Sequence, residues 1–186
     1  FICEKLCGDT MKIYPGISYR HLLVLKEGSE DLDFSPPHDY VGRPFRELMV
    51  KAKNPGAEKT AKKLNEMIIK SQVLLENHPV NRRRKEQKKD PANSLWPWSA
   101  GKKPTMPTYQ ERFGIKGAVI SAVDLIQGLG KYAGMDIIKV EGATGLSDNN
   151  YEGKADAAIE ALKDHDFVFV HVEASDEAGH EGNAEL

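Results

Sequence analysis

Five side chains able to bind a metal or move a proton fall within nine positions near the end of the chain. They are Glu173, Asp176, Glu177, His180 and Glu181, in the run FVFVHVEASDEAGHEGN. Asp176 and His180 stand four apart, the spacing that sets two side chains on one face of a helical turn. A carboxylate beside an imidazole suits manganese, zinc or iron better than calcium, which prefers all-oxygen shells. Gly179 beside His180 allows a close backbone approach. Two ligands do not complete a site, and the same residues also read as an acidic surface loop with one exposed histidine. The remaining histidines, His21, His38, His78, His165 and His171, are scattered. His171 alternates into the preceding strand as a satisfied core histidine. His165 falls in the last turn of a helix, where a cation complements the dipole.

The elements around this run have a clear period. FVFVHV reads as a strand that is apolar on both faces apart from His171. Lys154–Lys163 reads as a helix with Ala155, Ala158, Ile159 and Leu162 inward, GATGLSDNN as a loop and DIIKV as a short strand. Before them, Val119, Val123, Ile126, Leu129 and Ala133 form a helical stripe, with Gly134 suited to a left-handed cap. Helices alternating with continuous apolar strands predict a parallel sheet covered on both sides, and ligands of such sheets bind beyond the carboxyl ends of the strands.

The first half has a different texture. Residues 1 to 53 read as strands and turns, with Ile17–Leu25 as the best strand. Residues 56–77 carry Ala57, Ala61, Leu64, Ile68, Ser71 and Leu75 at helical spacing, and Pro79 closes that helix. NRRRKEQKKDPANS, residues 81–94, reads as a solvated loop with a short helical tail, because no aromatic residue interleaves its charges. Pro97, Pro104 and Pro107 exclude a regular element from the next segment, and Trp96 and Trp98 make it a packed crossing. A boundary between two domains falls near there.

Composition narrows the function classes. The 186 residues include 40% hydrophobic and 29% charged side chains with a net charge of −2, the profile of a soluble globular protein without a nucleic-acid signature. No apolar run approaches the roughly 18 residues that a membrane helix needs. The chain opens on Phe1 with no legible leader peptide. Cys3 and Cys7 are too few for a disulfide framework and read as free thiols in a reducing cytosol.

Taken together, YPGISYRHLLVL, SPPHDYVGRPF, LWPWSAGKKPTMPTYQERFGIKGAVISAVDLIQGLGKYAGM, KVEGATGLSDNNYEGKADAAIEAL and FVFVHVEASDEAGHEGN resemble the archaeal-type 2,3-bisphosphoglycerate-independent phosphoglycerate mutases of the alkaline phosphatase superfamily. The resemblance runs through nearly the whole chain, in the same order. It implies an α/β fold: a partial alkaline-phosphatase-like core with parallel strands over residues 106–186, and an inserted α+β substrate-binding domain over residues 1–105. It implies that Asp176 and His180 bind one of two divalent metals, manganese first, with magnesium, zinc or cobalt as alternatives. Arg20 resembles the substrate clamp of the inserted domain, a role that suits a planar guanidinium, because its fork pairs with both oxygens of a carboxylate or phosphate. His38 and Asp39 resemble a second polar cluster there, although PPHD also reads as a proline-shaped turn whose Asp bonds its own backbone.

The resemblance further implies a cytoplasmic enzyme of glycolysis and gluconeogenesis. It would move a phosphate between the 2- and 3-positions of glycerate through a phosphoserine, with a small phosphorylated three-carbon acid as partner and neither nucleic acid nor membrane. The family's nucleophilic serine with its neighbouring Asp, and a later Asp-His pair and final His, match nothing in residues 1–186. The chain alone is therefore expected to be inactive. Ser147 and Ser175 are near the site by proximity only. Two other classes fit the same residues: a homoserine-kinase-like phosphotransferase on this scaffold, and a ligand-binding module without catalysis.

Overall fold

The computed structural model describes residues 1–16, 19–180 and 182. The chain divides into two compact units, Phe1–Lys102 and Lys103–Leu186.

In the first unit a short helix, α1 (Ile2–Leu6), leads into an antiparallel hairpin of β1 (Met11–Pro15) and β2 (His21–Leu25). Strand periodicity sorts the hairpin's side chains. Met11 and Ile13 face Leu23 and Leu25 on the core side, while Tyr14, Leu22 and Val24 point out. The expected strand over Ile17–Leu25 is thus shorter: Tyr19 and Arg20 belong to the turn, and Ile17 and Ser18 lie outside the described residues. A second pair, β3 (Leu32–Asp33) with β4 (Lys51–Ala52), is antiparallel too.

The long helix α2 (Glu58–Glu76) closes this core. Ala57, Ala61, Leu64, Ile68 and Ser71 are all buried, as their spacing predicts. Asn54 caps the turn that precedes the helix by accepting from the Ala57 N–H at 3.1 Å. Pro79 does not merely follow the helix. It occupies the first turn of another, α3 (Pro79–Glu86), where a missing N–H costs nothing. The basic stretch expected to be a loop is therefore helical at its start. Asn81 explains why: buried in α3, it donates to the carbonyls of Leu75 and Ala92 at 2.7 and 2.6 Å and ties both flanks together. Cys3 and Cys7 are free thiols, and burial pushes Cys7 up to about 11.

The second unit begins with α4 (Tyr109–Phe113), started by a capping box between Thr108 and Glu111 and stopped by Gly114 at φ 69°. A three-stranded parallel sheet follows in the order β6 (Asp136–Ile138), β5 (Gly117–Ile120), β7 (Phe167–Val170). All four residues of β5 are buried, which suits the central strand. Val119 therefore belongs to this strand and not to the helical stripe expected of it.

The helix α5 (Asp124–Tyr132) starts later and presents Ile126, Gly130 and Ala133 inward, leaving Leu129 half exposed. Gly130 decides that face. A Cβ there would come within 2.5 Å of Val119 Cγ2, so only glycine lets α5 approach the sheet this closely. The left-handed stop at Gly134, φ 73°, is as expected.

The helix α6 (Tyr151–Ala161) packs on β5 and β7 with a face other than the expected one. Ala155, Ile159 and Leu162 are exposed. Lys154 and Ala161 are buried, with Ala157 and Ala158 partly so. Hydropathy ranks leucine inward and lysine outward, but here small alanines give close packing and the lysine ammonium finds a carbonyl. Phe169 and Val170 of β7 are likewise exposed, so this edge of the sheet is not covered as the apolar run implied. The last described helix is α7 (Ala174–His180). Among the described residues no helix is long and apolar enough to cross a membrane.

Candidate functional site

The chain leaves β5, runs through α5 to β6 on one side, then returns through α6 to β7 on the other side of β5. The strand order therefore reverses between β5 and β7, and open α/β sheets bind ligands at the carboxyl ends of the two strands flanking such a reversal. Ser121 follows β5 and His171 follows β7 at that place.

These two residues meet. The Ser121 hydroxyl lies 3.2 Å from His171 Nδ1, and His171 Nε2 lies 3.0 Å from Glu173 Oε2. With the ring hydrogen on Nε2, Nδ1 accepts the hydroxyl proton, and the Glu173 carboxylate stands in contact with Nε2. The order serine, histidine, acid matches that of a nucleophilic relay, but Ser121 is only 5% exposed and its oxygen already accepts from the Val123 N–H at 3.0 Å. A hydroxyl so enclosed braces the loop and does not face a substrate. The backbone of His171 is held as well: its N–H donates to the Ile120 carbonyl at 2.8 Å, and its carbonyl accepts from Lys154 Nζ at 3.0 Å. Lys154 is 2% exposed, and burial lowers its pKa from the usual lysine value. Expected as a core histidine of the strand, His171 lies one residue past β7, partly exposed, and among the described residues Nδ1 alone of its ring nitrogens is hydrogen-bonded. Its connection to Ser121, Glu173 and Lys154 was not visible in sequence.

Glu173 then starts α7, its carbonyl accepting from the Asp176 and Glu177 N–H groups at 2.9 and 3.3 Å. On this helix Asp176 Oδ2 and His180 Nε2 stand 3.5 Å apart, both well exposed. Two donors at about 2.1 Å from one tetrahedral ion lie roughly 3.4 Å from each other, so the pair fits one side of a divalent metal's shell. Among the described residues no group of three or more histidine, cysteine, aspartate and glutamate side chains is placed to hold a metal. Glu181 lies outside the described residues. Ser147 and Ser175, far apart in sequence, line one cavity of about 380 Å³ with Tyr151, Val172 and Ala174. Asn149 and Asn150 shape its loop, the first accepting from the Thr144 N–H and the second capping α6 through the Gly153 N–H. His165, expected in the last turn of the helix, lies four residues past its end and still reaches back to it, with Nδ1 2.9 Å from the Ala161 carbonyl and Nε2 2.9 Å from Asp136.

In the first unit the candidate residues sit on turns. Arg20 lies exposed at the tip of the hairpin, its guanidinium 4.9 Å from the ring centre of Tyr19. His38 and Asp39 occupy a one-turn 3-10 segment, Pro37–Tyr40, that follows Pro36. The turn is proline-shaped, but the Asp39 carboxylate faces its neighbour, 3.6 Å from His38 Nε2. The WPW segment supports this turn from below: Trp96 Nε1 donates to the Ser35 carbonyl at 2.8 Å, and Trp98 meets the His38 ring edge-on at 5.2 Å. A larger open groove of about 610 Å³ along α2, bounded by Met49, Glu58 and Lys70, touches none of the candidate residues.

Comparison with known proteins places this architecture. The chain is 53% identical over 95% of its length to a probable 2,3-bisphosphoglycerate-independent phosphoglycerate mutase of Geobacter sulfurreducens, covering 43% of that protein. It is 52% identical over 96% of its length to the corresponding mutase of Methanosarcina barkeri, covering 44% of it. The chain thus spans under half the length of these relatives. Among solved structures, a protein of Pyrococcus horikoshii shares 40% identity over 69% of this chain and 34% of its own, with a TM-score of 0.61. The cofactor-independent phosphoglycerate mutase of Thermoplasma acidophilum shares 26% identity over 97% of this chain and 50% of its own, with a TM-score of 0.58. The mixed α/β fold with its parallel three-stranded sheet agrees with these neighbours. The family model described as Metalloenzyme superfamily matches residues 26–186, and the chain belongs to that superfamily.

Proposed function

We propose that the protein is a cofactor-independent phosphoglycerate mutase, interconverting 3-phosphoglycerate and 2-phosphoglycerate through a phosphoserine. The observation that carries this reading is 53% identity over 95% of the chain to a relative bearing that name. The site geometry supports it. Asp176 and His180 would hold one divalent metal, manganese by preference, at the carboxyl end of the sheet. Such a metal lowers the pKa of a hydroxyl nucleophile and neutralises charge on a transferring phosphoryl group.

The chain's own residues have separate tasks. Asp176 supplies the negative charge and His180 a neutral imidazole. Arg20 offers a planar fork to the carboxylate or phosphate of the substrate, and its stacking on Tyr19 restricts the guanidinium before substrate arrives. His38 and Asp39, braced by Trp98, form a second polar contact for the three-carbon acid. On this reading residues 1–105 are the substrate-gripping domain and residues 106–186 the metal-binding part of the core. Holding glycerate in place prevents its loss while the phosphate changes position. The proposed setting is the cytoplasm, in glycolysis and gluconeogenesis.

Assaying the intact protein with 3-phosphoglycerate and Mn²⁺ tests the reading. Formation of 2-phosphoglycerate without added bisphosphoglycerate is expected. ATP-dependent phosphorylation of homoserine, with no mutase turnover, would replace it.

A further inference from the structure

The loop between β7 and α7 is tied down more heavily than a solvated loop requires. A buried lysine of α6 holds its backbone, the His171 ring bonds Ser121 through Nδ1 and contacts Glu173 through Nε2, and the Glu173 carboxylate has little exposure. His171 and Glu173 expose only 20% and 23% of their side chains, against 78% and 64% for His180 and Asp176. The backbone of His171 is fixed on both sides, by the Ile120 carbonyl and by Lys154 Nζ. Its ring spans from Ser121 to Glu173. Glu173 in turn supplies the carbonyl that receives the first N–H groups of α7. An exposed helix of 7 residues has little packing of its own to set its direction.

We infer that His171 and Glu173 are positioning residues for the Asp176–His180 pair: the His171–Glu173 contact, anchored on Ser121 and Lys154, sets where α7 starts and so holds the two ligands toward one ion. This rests on the reading of Asp176 and His180 as metal ligands. Neither His171 nor Glu173 touches the metal in this account. Both act through the peptide that begins α7, where the Glu173 carbonyl accepts from the Asp176 and Glu177 N–H groups.

The test is Mn²⁺ affinity, measured on the intact protein by titration calorimetry, with the visible absorption of a Co²⁺-loaded sample as a second readout. Asp176→Asn checks the ligand reading, and far-UV circular dichroism checks folding. His171→Phe keeps a ring of similar breadth but no nitrogen, and Glu173→Ala removes the acceptor while leaving the backbone carbonyl. Each is expected to weaken Mn²⁺ binding about ten- to a hundred-fold and to alter the Co²⁺ band, the effect typical of losing a support of a metal ligand. Glu173→Gln, which keeps the side chain's size and an oxygen beside His171, is expected to stay closer to wild type than Glu173→Ala. Should His171→Phe fail to fold, Glu173→Ala decides alone, because its side chain is partly exposed.

Wild-type affinity and spectrum in folded Glu173→Ala, beside a clear loss in Asp176→Asn, would overturn the positioning role and leave the ligand reading intact. Wild-type affinity in Asp176→Asn would overturn both.

Discussion

Both units expose their candidate residues, but on different supports. In the first, the core is extensive and the candidates stand outside it: Ile68 and Leu64 are enclosed, while Arg20, His38 and Asp39 sit on exposed turns steadied by one aromatic ring each. In the second, the buried apolar cluster is small, built around Val119, Ala133 and Met135, and buried polar groups do much of the anchoring. Ser121, Lys154 and Asn149 are all nearly inaccessible and all hydrogen-bonded. The difference separates two designs. A turn on a stable base presents side chains that can adapt to a substrate. A strand end tied by hydrogen bonds fixes the start of the helix that carries Asp176 and His180.

The comparison can be broken most sharply through the core. Ile68→Ala, at a site with 0% exposure, should cost the first unit about 2–5 kcal/mol in urea unfolding. A loss below about 1 kcal/mol would mean that the α2 stripe is not the base of that unit. Smaller, and functional, is Arg20→Ala. On the proposed function, loss of this clamp on the substrate should raise KM for phosphoglycerate about tenfold, or ~1.4 kcal/mol, with little change in the melting temperature. A drop in stability with unchanged KM would make Arg20 part of the fold.

Thr108→Ala removes the side-chain acceptor of the α4 capping box and should destabilise the second unit by about 1 kcal/mol. The smallest effect depends on pH. The hydrogen bond from His165, helped by Lys116, holds the Asp136 carboxyl below its ordinary value of 3.8. A depressed carboxylate contributes stability above its unfolded pKa and loses it as pH falls through the folded one. Urea midpoints of wild type and Asp136→Asn should therefore differ at neutral pH and converge in acid below that range. A constant difference at every pH would assign the effect to something other than this ionisation.

Much of the scaffold was legible because one period dominated. The α2 stripe was readable from Ala57 to Ser71, since a helix on a single core needs apolar or small residues every three or four positions. The left-handed stop at Gly134 and the strand at Asp136–Ile138 were readable for similar local reasons. The sequence reading failed where burial and hydropathy part company. Val119 continued a helical period by coincidence, although four consecutive buried residues mark a central strand. Lys154 took the place of Ile159 inside because its amine meets the His171 carbonyl, a partner 17 positions away. At the site, the spacing of Asp176 and His180 left a metal pair and an acidic surface loop both open, and only the family resemblance favoured the metal. The bond between Ser121 and His171 joins residues 50 positions apart, and only the return of the chain to the far side of β5 brings them together.

The proposed function turns on Asp176 and His180 holding a metal that turnover needs. Its most direct test is conversion of 3-phosphoglycerate to 2-phosphoglycerate by the intact protein, chelated and then resupplied with Mn²⁺, with Asp176→Asn alongside. The account predicts turnover that vanishes on chelation and returns with Mn²⁺, and a loss on the order of 100-fold in Asp176→Asn with the fold unchanged. Undiminished turnover after chelation, or in Asp176→Asn, would contradict it.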